Sequence, residues 1–269
     1  MGERVRLEVS EGVAQVTLAR GDRHNGVDLA MLREVRAIQR ALARRRDVRA
    51  AIVHGDGPSF CAGLDFKSVL ADRRGALRGV LSLWLPWRNL FQQWSVGWRE
   101  LPFPVIAAVH GNCFGAGIQL ALGADLRVLA PEARLSFMEA RWGLVPDMGG
   151  IALVRELLPI DRAKELVMSG RVIGADEALR LGLASEVADD PLSRARELAS
   201  ELSAGSPDAI AAGKFLLQEA WHGSLSEALA AERRRQRSLI GRINQRIAMR
   251  RNLSKGEAPP AFVKRRVDH

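Results

Sequence analysis

Two short stretches of the sequence end an apolar run in small residues, and a third sets an acid among apolar neighbours. The first, residues 58–65, passes from Phe60 and Cys61 into Ala62, Gly63 and Leu64. The second, residues 109–119, carries Gly111, Gly115 and Gly117 where an apolar helical pattern begins. A strand that runs into such a turn can leave backbone N–H groups free to point at a ligand. Glycine permits close approach, and the following helix adds the positive end of its dipole. Either turn alone also fits a generic anion site or simple packing. The third stretch, residues 137–150, places Glu139 just ahead of a turn region holding Gly143, Pro146 and Gly149, with Asp147 eight residues after it. On residue type alone Glu139 also reads as a surface acid paired with Arg141, and Asp147 as a turn or N-cap acid before Met148. His110 reads as a strand-end histidine with its hydrogen bonds satisfied.

These turns need strands and helices to hold them. Residues 5–9 and 13–18 alternate with period two around Glu11 and Gly12, as a hairpin does. Residues 29–46 carry apolar side chains at helical intervals behind Asp28 as an N-cap, and residues 50–53 read as a buried strand. A second such step runs from a strand at 105–109, through the Gly-rich turn and a helix over 118–122, to a strand at 126–129. Alternating strands and helices argue for an α/β fold. From about Ala152 the pattern is almost entirely helical and includes one charged helix over about 224–250. The join between a strand-rich front and a helical back falls near residues 204–207.

With 47% hydrophobic and 26% charged residues, the 269-residue chain has the make-up of a folded globular protein. Its first residues alternate charged and apolar types, without the apolar run of a secretory signal. Its most apolar stretches fall far below the roughly 20 residues that cross a bilayer, so no membrane partner and a cytoplasmic location are expected. Cys61 and Cys113 are too few for a disulfide framework and read as free thiols. The net charge of +9 concentrates at residues 44–46, 233–235 and 264–266. Such runs read as solvated helix faces or tails, or as a handle for a phosphate-bearing partner. No zinc-finger spacing or aromatic-interleaved motif accompanies them, so nucleic acid is not favoured.

In their order, residues 23–25, 58–65, 109–119 and 137–150 resemble the enoyl-CoA hydratase/isomerase (crotonase) superfamily, and the likeness covers nearly the whole chain. The resemblance implies a crotonase-like ββα spiral core with the acyl-CoA site over residues 1–205. It also implies a C-terminal helical region at 206–269 that builds a homotrimer or a dimer of trimers. The substrate would be an acyl-CoA thioester, with coenzyme A as part of it and no permanently bound cofactor or metal. The N–H groups at Leu64 and Ala116 would hold the thioester oxygen and stabilise the enolate. Substrate contacts would come from Arg23 and His24 on one rim and from Ala62, Leu64, Asp65, Phe66 and Lys67 on the other, with Gly115 beside Ala116. Lys214 and Lys255 are further candidates for phosphate contact, and as lone lysines they also read as solvated. The tail from Lys255 to Phe262 departs from the family's usual ending by an insertion. The tryptophan-rich stretch offers Trp87, Leu90, Phe91, Trp94 and Trp98 on one helical stripe, as core or subunit packing or as a wall of the acyl pocket.

The family's hydratases use two glutamates to add water. The later one maps to Glu139, and the earlier one to Gln119, an amide that cannot take or deliver a proton. Double-bond migration needs one carboxylate, which Glu139 supplies, so the resemblance favours an enoyl-CoA or dienoyl-CoA isomerase. Asp147 matches a second acid of the dienoyl-CoA isomerases, which also carry an acid where this chain has Gln119. The alternatives are a hydratase in which Gln119 positions water, and a non-catalytic acyl-CoA- or RNA-binding homologue that uses the basic helices.

Overall fold

A computed structural model describes residues 3–253 and 260–267, so Lys255 lies outside the described residues. The chain opens with the expected hairpin. Strands β1 (Val5–Ser10) and β2 (Val13–Leu18) pair antiparallel from Val5 opposite Leu18 to Ser10 opposite Val13. Glu11 and Gly12 both sit at positive φ, 51° and 80°, the geometry a two-residue hairpin turn needs. Helix α1 (Leu29–Arg44) starts where Asp28 accepts a hydrogen bond from the Met31 N–H at 2.8 Å. It buries Met31, Leu32, Val35 and Leu42, then leads into β3 (Ala50–Gly55), which lies parallel to β2 and is buried along its whole length.

Three helices, α2 (Phe66–Ala71), α3 (Arg73–Leu81) and α4 (Leu90–Arg99), separate β3 from β4 (Val105–Val109). After β4 come β5 (Asn112–Phe114), α5 (Ala116–Leu122), β6 (Leu126–Leu129) and β7 (Arg134–Ser136). A 3-10 helix at Glu139–Trp142 precedes α6 (Gly150–Val154), α7 (Ile160–Ser169), β8 (Ile173–Gly174), α8 (Ala175–Leu181) and β9 (Glu186–Val187). Helices α9 (Pro191–Ser203), α10 (Pro207–Ala220), α11 (Leu225–Leu239) and α12 (Ile243–Leu253) complete the described chain.

The main sheet has the order β1-β2-β3-β4-β6-β9 and is parallel from β2 onward; β5, β7 and β8 form a second, smaller sheet. One face of the main sheet shows Ala50, Ile52, Ile106, Ala108 and Val128, and α9 lies on it through Ala195 and Ala199, whose small side chains allow a close approach. The other face holds the larger core with α1, α4 and α5.

The structure departs from the sequence reading in several places. The charged helix over 224–250 is two helices, because the chain turns at Ile240 and Gly241, and Gly241 sits at φ 75°. The helical back also contains β8 and β9, two residues each, too short to leave a periodic signal. The tryptophan stripe is divided: α4 begins only at Leu90, behind a capping box in which Asn89 and Gln92 bond each other's backbone N–H. Trp94 and Trp98 are buried, whereas Trp84 and Trp87 stand before the helix, 76% and 65% exposed.

The basic runs are not merely solvated. Arg45 makes a two-pronged bond to Asp47, and Arg234 and Arg235 both meet Glu219. The tail folds back: buried Asp208 accepts hydrogen bonds from Asn244 and from the Arg266 and Val267 N–H groups, and Arg46 reaches the Arg265 and Arg266 carbonyls.

Candidate active site

The two small-residue turns are brought together by backbone pairing. Cys61 and Cys113 form a parallel bridge, in which the Cys61 N–H donates to Asn112 O and the Phe114 N–H to Cys61 O. Both thiols are free and buried, and burial pushes Cys61 up to about 12, so neither serves as a nucleophile. Next along the chain, Val27 bridges Leu64: the Val27 N–H donates to Gly63 O at 2.8 Å and the Asp65 N–H to Val27 O at 2.9 Å. That register leaves the Leu64 N–H facing away from Val27. On the other side, the Gly115 N–H donates to Ser136 O at 2.9 Å, and Ala116 opens α5. Among the described residues, neither the Leu64 nor the Ala116 N–H has a hydrogen-bond partner.

Glycine is required at both turns. Gly115 has φ 51° and ψ −112°, and Gly63 has φ 105°, conformations that L side chains rarely adopt. A Cβ on Gly63 would lie 3.1 Å from Phe114 O and 3.9 Å from the Ala116 nitrogen. A Cβ on Gly115 would lie 3.4 Å from Glu139 Oε1 and 3.9 Å from Gly63 Cα. These contacts place the two free amides, the two glycines and the Glu139 carboxyl around one small volume.

Polar side chains hold the rims, with Arg20 and Asn25 buried among them. Arg20, at the end of β2, bonds the Gly26 carbonyl and Asp65 Oδ2 and pairs with Asp28. Asp65 in turn caps α2 through the Ser68 N–H and hydroxyl; the Ser68 hydrogen bond, with Arg20 behind it, holds its carboxyl below its ordinary value. Asn25 is buried and ties the Arg20 N–H to the Asp56 and Ser59 carbonyls. His24 bonds Ser59 Oγ through Nδ1 and accepts the Ala62 N–H on its carbonyl. Trp94, under the site, donates its indole N–H to Ala116 O at 2.8 Å.

Glu139 stands at the start of the 3-10 helix, and its Oε1 accepts a 2.7 Å hydrogen bond from Gln119 Nε2. The Gln119 side chain is fully buried and its Oε1 accepts the Met148 N–H at 2.9 Å and the Gly150 N–H at 3.0 Å. Glu139 Oε2 is buried with no hydrogen-bond partner among the described residues, and Glu139 makes no ion pair with Arg141 there. Burial raises the Glu139 pKa above the ordinary glutamate value; hydrogen bonds from its own N–H and from Gln119 act against this, and the Asp147 charge adds to it. Asp147 is exposed to solvent yet crowded by protein, and that crowding raises its carboxyl too.

The structure therefore gathers Gly63, Leu64, Gly115, Ala116, Gln119 and Glu139, with Asp147 within electrostatic reach. Phe66 stands beside them and packs against Trp142, ring centres 5.0 Å apart. Ala62, Lys67 and Arg23 are exposed on the rims, Arg23 only 3.8 Å from Asp22. Lys214 is not available to a phosphate. It is buried, with Nζ bonded to Asp125 at 2.7 Å and to the Phe103 carbonyl at 3.0 Å. His110 bonds the Gly57 carbonyl at 2.9 Å and holds a turn. Trp142 and the N–H groups of Met148 and Gly150 are participants that the sequence did not mark, because nothing in their spacing distinguishes them.

A model of the enoyl-CoA hydratase/isomerase family matches residues 8–263. An enoyl-CoA hydratase of Rhodobacter capsulatus is 36% identical over 270 residues, covering 98% of this chain and 96% of that protein. An enoyl-CoA hydratase/isomerase of Bacillus subtilis is 32% identical, with 87% and 89% covered. Among solved structures, the enoyl-CoA hydratase of Bacillus anthracis superposes with a TM-score of 0.87 at 26% identity, covering 96% of this chain and 98% of that one. One from Thermobifida fusca, solved in complex with acetoacetyl-CoA, gives 0.78 at 31% identity, with 87% and 93% covered. With its paired turns and whole-chain likeness, this chain belongs to the enoyl-CoA hydratase/isomerase family.

Proposed function

We propose that the protein binds an enoyl-CoA thioester and moves its double bond, with Glu139 as the single proton carrier. The thioester oxygen accepts from the Leu64 and Ala116 N–H groups, and Phe66 and Trp142 line the mouth. Glu139 Oε2 takes a proton from C2 of a 3-enoyl thioester; the electron pair delocalises onto the thioester oxygen and C4. The proton returns to C4, so the double bond passes from C3–C4 to C2–C3 and Glu139 ends as the carboxylate it began as. Two backbone donors aimed at the oxygen that gains charge contribute several kcal/mol, about 3 for each by comparison with other oxyanion holes.

The observation that carries this reading is the bonding of Gln119. Its oxygen is used by two backbone N–H groups and one of its N–H groups by Glu139, so it neither holds a proton to deliver nor offers its oxygen to a water. The names of the relatives favour hydration. In that case Asp147, whose charge bears on Glu139, would supply the second carboxylate, and Gln119 would not. Residues 206–269 are taken as the region through which copies assemble, since Leu217, Trp221, Leu225 and Ile240 are exposed there.

Deuterium exchange at C2 of a saturated acyl-CoA in D2O tests the enolate step. Exchange is expected with the parent protein and not with Glu139→Gln; equal exchange in both would remove Glu139 from its role.

A further inference from the structure

A second charged site lies away from the oxyanion turns, between α1, α3 and the stretch leading into α4. It is a cleft of about 340 Å³ whose walls include Arg33, Arg36, Arg78, Arg88 and Trp87. Arg33 and Arg36 are one helical turn apart on α1. Arg78 reaches them because α3 lies unusually close: a Cβ on Gly75 would fall 2.3 Å from Leu29 Cδ1, and one on Gly79 would fall 2.9 Å from the Phe91 ring. The close packing thus draws guanidinium groups from two helices and from the turn before α4 around one opening.

Carboxylates offset only two of them. Asp72 stands 3.8 Å from Arg33, outside hydrogen-bond distance, and Glu100 holds Arg88 at 2.7 Å. Among the described residues, Arg36 and Arg78 make no ion pair, and no acidic residue lines the cleft. Like charges gathered in this way repel, and an anion with several acceptor oxygens would relieve the repulsion. Trp87 adds a flat, 65% exposed aromatic face at the same opening. An indole presented to solvent beside guanidinium groups suits a planar ring joined to a phosphate chain.

We propose that this cleft binds a free nucleoside diphosphate, with the phosphates on Arg36 and Arg78 and the base on Trp87. The inference goes beyond the enoyl-CoA reading; binding tests the site itself, and KM tests whether it is separate from the substrate's. The test is calorimetric titration of the full chain at low salt with ADP and, separately, with pyrophosphate. It is repeated on Arg36→Ala/Arg78→Ala and on Trp87→Ala, after equal thermal midpoints confirm folding.

Saturable binding of both probes is expected, tighter for ADP, with a loss of about tenfold or more for both in the double variant. Trp87→Ala should bring ADP down to the pyrophosphate level. Unsaturable binding, or binding unchanged in the double variant, would overturn the site. Equal affinity of the parent for both probes would overturn the nucleotide. KM for an enoyl-CoA is expected to stay within about twofold in the double variant. A rise in KM matching the loss of ADP affinity would instead make the cleft part of the substrate's own handle and overturn a separate site.

Discussion

Gln119 Nε2 donates to Glu139 Oε1 at 2.7 Å while the Gln119 oxygen receives the Met148 and Gly150 N–H groups, so one amide fixes the carboxylate and the turn after Asp147 together. The rotamer of Glu139 is thereby set from α5, and only Oε2 remains unbonded.

Glu139→Gln should lower the isomerisation rate by at least about a hundredfold, since the amide cannot accept the proton. It should not cost stability. The Glu139 pKa is raised in the fold, so its favourable contribution is present below the unfolded pKa and is lost as pH rises through the folded one. At neutral pH the parent therefore carries the cost of a buried carboxylate. Thermal melts should show the variant at or above the parent at pH 7, with the gain disappearing below pH 4.

Because Glu139 acts as a base, kcat/KM should fall on the acid side with a midpoint above the ordinary glutamate value of 4.5. The Asp147 charge contributes to that position, so Asp147→Asn should move the limb to lower pH. A pH–rate profile of the two proteins checks the direction; a limb unmoved in the variant would separate Asp147 from Glu139.

Much of the fold is legible in the sequence. The hairpin, α1 with its Asp28 cap, and β3 and β4 follow from alternation, helical spacing and capping chemistry, each a local property of a few residues. The assignment of the two amides to Leu64 and Ala116 comes instead from the resemblance to the family. The bonding of Gln119 was not legible: its partners Met148 and Gly150 are backbone N–H groups 29 and 31 residues away, and any residue type could have supplied them. Lys214 failed as a surface lysine for a similar reason, since only the packing of α10 on the end of α4 buries it against Asp125. The stripe ending in Trp98 looked continuous because periodicity does not register a capping box inside it.

Gln119→Leu keeps the bulk of the side chain and removes its polar atoms. It leaves the Met148 and Gly150 N–H groups buried without partners and should destabilise the fold by about 1–3 kcal/mol for each group. Gln119→Glu restores acceptors for both N–H groups but sets a second carboxylate against Glu139, and the pair should share a proton at neutral pH. Its isomerase pH limb should move upward and its hydration of 2-enoyl-CoA should rise relative to isomerisation. Paired rate measurements on both substrates check this.

Gly63→Ala places a methyl group 3.9 Å from the Ala116 nitrogen and forces alanine to φ 105°. It should lower kcat by about tenfold or more, with the larger part of the effect on kcat and not on KM, because the thioester oxygen gains its charge only as the enolate forms.

Lys214→Met leaves Asp125 without its ammonium partner and should cost about 3–5 kcal/mol of stability, read as a lower denaturation midpoint. KM for the thioester should be unchanged in the protein that folds.

The most direct test follows the absorbance of the conjugated thioester with 3-enoyl-CoA and 2-enoyl-CoA as separate substrates. A proton-moving enzyme built on Glu139 alone should raise the absorbance with the first faster than it lowers it with the second, and Glu139→Gln should abolish the rise. Rapid loss of absorbance with 2-enoyl-CoA, abolished in Glu139→Gln and with no rise from 3-enoyl-CoA, would contradict the account and identify hydration.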